Sequence, residues 1–161
     1  PAVVPSDLAW SLSAERRQPA AVPVLRSGLD GQNLPFEDNS FDTALSTWTL
    51  CTIPDPVAAL REVRRVLRPG GQFLFLEHGA APDAQVRAWQ HRIDPFQRRL
   101  FAGCYLSRPI TDLLKQAGLP AHDLSTFYVP DEPKAFGSLY RGRSTRSPIS
   151  ASPPRRPRSR P

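Results

Sequence analysis

Between residues 40 and 79 the chain alternates strand-forming and helix-forming stretches in an order that leaves few folds open. Phe41 to Trp48 reads as a strand. Asp55 before Pro56 starts a helix, because an Asp side chain accepts from free first-turn amides and proline at the first helical position forfeits no hydrogen bond. Val57, Leu60, Val63 and Leu67 recur at helical spacing, which predicts a helix from Asp55 to about Leu67, ended by Pro69-Gly70-Gly71. Gln72 to Leu76 is then a nearly continuous apolar run, as expected of a parallel strand covered on both faces. Strand, helix and strand in this order build an α/β layer structure.

The flanking segments extend the pattern. Ala2-Val3-Val4 and Val22 to Arg26 read as short strands, with a helix from Asp7 to Arg17 between them. Asp83 to Ala102 is helical in character, and Asp94-Pro95 predicts a bend or a break into a helix pair. Residues 109–117 form a further helix stopped by Gly118, and two strands follow near 123–129 and 134–141. Gly142 to Pro161 is Arg, Ser and Pro with almost nothing apolar, and is expected to be a disordered tail.

That tail also explains the net charge of +6, which at first suggests a nucleic-acid partner. Residues 141–161 hold seven Arg and no acid, leaving 14 basic against 15 acidic residues in 1–140. The body of the chain is close to neutral, so neither nucleic acid nor an anionic membrane is expected as its partner. The tail's Arg residues have no interleaved aromatics to stack on bases. No apolar stretch approaches the ~20 residues of a membrane span, which with the two unspaced cysteines predicts a cytoplasmic protein with reduced thiols.

In open α/β sheets ligands bind beyond the carboxyl ends of the strands. That rule selects Pro5-Ser6, Asp30-Gly31, Ser46-Thr47-Trp48 and Glu77-His78. The last three have a plainer alternative: a turn Asp beside glycines at Asp30, a Trp covering the core at Trp48, and a His bonded to a loop carbonyl at His78. Cys51 and Cys104 read more readily as small buried residues than as nucleophiles. His91 and His122 have no site context. Pro69-Gly70-Gly71 is not a phosphate loop, since no Lys-Ser/Thr follows and the glycines end a helix where a phosphate loop would precede one.

Asp30-Gly31-Gln32-Asn33-Leu34-Pro35-Phe36, then Ser40-Phe41-Asp42, then the helix from Asp55 with Pro69-Gly70-Gly71, resembles the ordered pattern of class I S-adenosylmethionine-dependent methyltransferases. The resemblance covers about residues 1–142 and is nearest to small-molecule methyltransferases of the ubiquinone-biosynthesis-like and thiol-methylating groups. It implies S-adenosyl-L-methionine as cofactor, with Pro5, Ser6, Asp30, Gly31, Ser46, Thr47 and Trp48 along it, Asp30 at the adenine amine. It implies a small-molecule acceptor, and Glu77-His78, the only acid and imidazole pair beside a strand end, offers His78 as the base that takes its proton near neutral pH. Asp42 belongs to the motif as a structural residue, bonded to backbone nearby. The family's first strand and its G-x-G-x-G loop would precede Ala2, and Val4 stands where relatives carry an acid for the ribose hydroxyls.

The expected architecture is therefore a Rossmann-like methyltransferase sheet lacking its first strand and ending in an antiparallel strand pair. A partial domain over 1–141 precedes the tail 142–161. A central strand missing from such a sheet leaves an unpaired edge or strands joined differently, with weakened stability and methyl transfer. Two other readings stay open: a non-catalytic methyltransferase-fold module, and nucleic-acid binding through the tail.

Overall fold

The structure is a computed structural model that describes residues 2–4, 24–26 and 30–148. Strands β1 (Ala2–Val4) and β2 (Val24–Arg26) pair in parallel as a two-stranded sheet. The helix expected over Asp7–Arg17, together with Pro5 and Ser6, lies outside the described residues.

The rest builds one four-stranded sheet in the order β3-β4-β6-β5, from β3 (Phe41–Thr47), β4 (Leu67–His78), β5 (Ala121–Tyr128) and β6 (Ser138–Thr145). β3 and β4 are parallel, while β6 runs antiparallel to both β4 and β5. The mixed α/β sheet and its antiparallel ending are as expected. Among the described residues β3 has a strand on one side only, so the sheet is open at the edge where the resemblance places a further strand.

Helix α1 (Pro56–Val66) starts where the Asp55 carboxylate accepts from the Ala58 amide at 2.9 Å. It buries Ala59, Leu60 and Val66 against the sheet face that carries Phe73 and Phe75. Helix α3 (Ile110–Gln116) packs on the same side through Ile110, Leu113 and Leu114. It ends on Gly118 at φ 74°, with Gly118 N–H donating to Lys115 O and Leu119 N–H to Leu114 O. These crossed bonds satisfy carbonyls the helix would otherwise leave open.

Four expectations need correction. Pro69-Gly70-Gly71 does not separate helix from strand: the chain leaves α1 directly into β4 at Leu67. Leu67 pairs with Phe41 and Gln72 with Thr43, so residues 68–71 bulge opposite Asp42 alone, with Gly70 supplying φ 81°. Among the described residues the middle of β4 is covered on one face only. Phe73, Phe75 and Glu77 are buried, whereas Leu74 is exposed beside Leu45, its partner in register and 68 % exposed. Helix α2 (Ala84–Leu100) runs unbroken through Pro95, because Pro95 and His91 lie on its exposed side, where water can serve the carbonyl left unbonded.

The fourth correction concerns the domain boundary. β6 continues past residue 141 to Thr145, pairing Gly142 with Phe75 and Thr145 with Gln72. Arg146 beyond it is buried: its guanidinium donates to the carbonyls of Arg65 (2.9 Å) and Leu67, and its backbone N–H donates to Gly71 O at 2.9 Å. These bonds hold the end of α1 and the bulge together, so residues 142–146 belong to the fold. No helix among the described residues is long and apolar enough to cross a membrane.

Candidate active site

The carboxyl ends of β3 and β4 are organised by Glu77. Its side chain has no solvent exposure, and its carboxylate accepts from the Ser46 hydroxyl, from Thr49 N–H at 2.9 Å and from Leu50 N–H at 3.0 Å. Burial outweighs these three donors and pushes the carboxyl up to about 7. The loop after β3 is thus folded back onto β4 by a side chain 27 or more residues away.

This bracing decides where the β3 residues point. Ser46 is committed to Glu77, while Thr47 is exposed at the strand end. Trp48 adopts φ 53° as its N–H bonds to Leu76 O at 3.0 Å. That left-handed backbone turns the indole over His78, the ring centroids 6.1 Å apart and the planes within 7°. Trp48 is half exposed and His78 is buried, so the indole roofs the imidazole. Gly79 follows because no Cβ would fit: one built there would stand 2.6 Å from Ile110 Cγ1 and 2.8 Å from Arg108 O.

Cys104 is the site residue that sequence reasoning missed. The loop after α2 lies against the loop after β3, with Tyr105 N–H donating to Cys51 O at 2.9 Å and Arg108 Nη2 to Ile53 O at 2.7 Å. The two thiols meet there. Contact with the Cys104 thiol and burial push Cys51 up, whereas Cys51, His78 and Gln97 hold Cys104 well below the usual thiol range. Buried Asp94 fixes this loop by accepting from Leu106 N–H at 2.7 Å and from the Ser107 hydroxyl. Only the adjacency of folded loops brings Cys51, His78 and Cys104 together, and no sequence spacing reports it.

Asp30 and Gly31 form a corner beside the start of α1. Asp30 Oδ1 accepts from the Gln32 amide at 2.9 Å and the Gln32 side chain at 3.2 Å, so the carboxylate holds its own turn. Gln32 Oε1 in turn accepts from Asp55 N–H at 2.9 Å, and Leu34 N–H donates to Glu62 Oε2 at 3.0 Å. Asp30 is exposed, and the nearest atoms to a Cβ built on Gly31 are the side chains of Ile53 and Ala59, an apolar floor. Asp42 is exposed and pairs with Arg68 at 2.5 Å, a side-chain partner in place of the expected backbone bond. Among the described residues no group of three or more His, Cys, Asp or Glu could hold a metal ion.

Comparisons with known proteins bear on the family and the fold. The methyltransferase domain family matches residues 5–75. Thiol S-methyltransferase TMT1A of Homo sapiens is 38% identical over 102 residues, 62% of this chain and 42% of that protein. Demethylmenaquinone methyltransferase of Staphylococcus haemolyticus is 52% identical over 48 residues, 30% of this chain and 20% of that protein. The chain thus spans less than half the length of these relatives. Among solved structures, a SAM-dependent methyltransferase of Methanosarcina mazei superposes with TM-score 0.63 at 16% identity, over 85% of this chain and 75% of that one. One from Thermotoga maritima gives 0.59 at 24% identity, over 90% and 72%. The sequence match over residues 5–75 and the shared fold show that this chain is similar to S-adenosylmethionine-dependent methyltransferases.

Proposed function

We propose that the chain carries the acceptor side and the adenine corner of a methyl-transfer site that uses S-adenosylmethionine, and that its acceptor is a small molecule, a thiol first of all. The observation that carries this reading is the Trp48 indole stacked on the buried His78 at the carboxyl ends of β3 and β4, with the Asp30–Gly31 corner tied through Gln32 to Asp55 at the start of α1. The exposed Asp30 carboxylate above the Ile53–Ala59 floor suits an adenine ring and its exocyclic amine. Thr47 and Trp48 would form the rim toward the methionine end. Pro5 and Ser6 remain assigned to the cofactor by resemblance alone.

When bound, the cofactor supplies a methyl group on a sulfonium, whose departure leaves a neutral thioether. The chain's own task is alignment and the handling of one proton. His78 would take the proton of the acceptor, which must reach the imidazole past the Trp48 indole. The relative named for thiol methylation supports a thiol acceptor, and the near-neutral charge of residues 1–140 supports a small molecule over nucleic acid. A second reading, a methyltransferase-fold module that binds without transferring, rests on the open edge of β3.

The test is transfer of a labelled methyl group from S-adenosylmethionine to small aromatic and aliphatic thiols. Labelled product is expected with the native chain, and His78→Gln should lower the rate by about a hundredfold, the scale of general-base catalysis. No product from any acceptor, with S-adenosylhomocysteine still bound, would favour the binding module.

A further inference from the structure

The pairing of the two cysteines serves no step of methyl transfer. Cys51 is buried at 4 % exposure and Cys104 is half-buried at the surface of the same contact; both are free thiols. Tyr105 N–H donates to Cys51 O at 2.9 Å, so the backbone next to Cys104 lies against that of Cys51, and the two thiols hydrogen-bond across this contact. Cys51 Sγ lies 3.8 Å from Trp48 O, so the pair adjoins the residue that roofs His78.

We propose that Cys51 and Cys104 form a redox centre at the edge of the site, in which peroxide oxidises Cys104 first and Cys51 then closes a disulfide between the loops after β3 and α2. The Cys104 thiolate attacks one peroxide oxygen, the O–O bond breaks, and hydroxide leaves, giving a sulfenic acid at Cys104. The Cys51 sulfur displaces the sulfenic hydroxyl, its proton leaving with it as water. Two thiols lose two electrons and two protons, and one peroxide becomes two waters. Exposure sets the order, since Cys104 meets solvent and Cys51 does not. The depressed Cys104 thiol agrees with that order. Closure ties the loop that bears Trp48 covalently to the loop after α2.

The chain has two cysteines and no methionine, which makes the readout direct. Treated with hydrogen peroxide, the full chain should lose the mass of two hydrogens as a monomer, regain it with dithiothreitol, and yield a Cys51–Cys104 linked peptide. Under dimedone, Cys51→Ser should be labelled at Cys104, whereas Cys104→Ser should stay unlabelled. Stepwise gain of oxygen without a linked peptide, covalent dimers in place of the internal link, or equal labelling of both variants would overturn the proposal. The linked peptide is read on the native chain and does not depend on either variant folding.

Discussion

Glu77 shows how one buried carboxyl can shape a site and report on it. Its carboxyl sits at about 7 in the folded chain against an ordinary 4.5, so between these pH values the folded state holds a proton that the unfolded state has released. Its contribution is therefore full below about pH 4.5 and lost as pH rises to about 7, on the order of 3 kcal/mol. Glu77→Gln is neutral throughout and can still accept from the Thr49 and Leu50 amides. The stability difference between the native chain and Glu77→Gln should shift in favour of Gln between pH 5 and pH 8, and an unchanged difference by denaturant titration would contradict the assignment. Glu77→Ala strands the Ser46 hydroxyl and two amides and should cost about 3 kcal/mol or more at either pH. Sequence reasoning could select Glu77-His78 by their strand end. It could not see that Glu77 holds the loop and that Cys104 meets His78, because both depend on contacts distant in the chain.

At the scale of elements, local signals were legible wherever the chemistry is local. Asp55-Pro56 and Gly118 bound their helices as read, since caps involve residues three to five apart. Pro69-Gly70-Gly71 misled because a proline-glycine run suits a bulge as well as a terminator, and only the pairing of Leu67 with Phe41 tells them apart. Gly70→Ala should cost about 1 kcal/mol, from backbone strain at φ 81° and not from a clash, since nothing lies within 4 Å of the added Cβ. The end of β6 was hidden by composition: Gly142 to Arg146 resembles the Arg- and Ser-rich stretch that follows it. A chain ended after Arg141 loses the ladder to residues 72–75 and all the Arg146 bonds, and should fail to unfold cooperatively. A chain ended after Pro148 keeps both and should melt with the full chain.

For the whole molecule, the order of elements and the α/β class followed from the sequence pattern, because periodicity and layer rules act along the chain, whereas the antiparallel ending followed from the resemblance. The exposure of Leu45 and Leu74 followed from neither, because a strand's apolar run shows that a face can be covered, not what covers it. The proposed function requires a cofactor held between Asp30 and Trp48. Isothermal titration with S-adenosylhomocysteine tests it most directly. The account predicts saturable heat with the native chain that Asp30→Ala weakens by about tenfold, the scale of one charge-assisted hydrogen bond. Heat that Asp30→Ala leaves unchanged, or no heat from the native chain at high protein concentration, would contradict it.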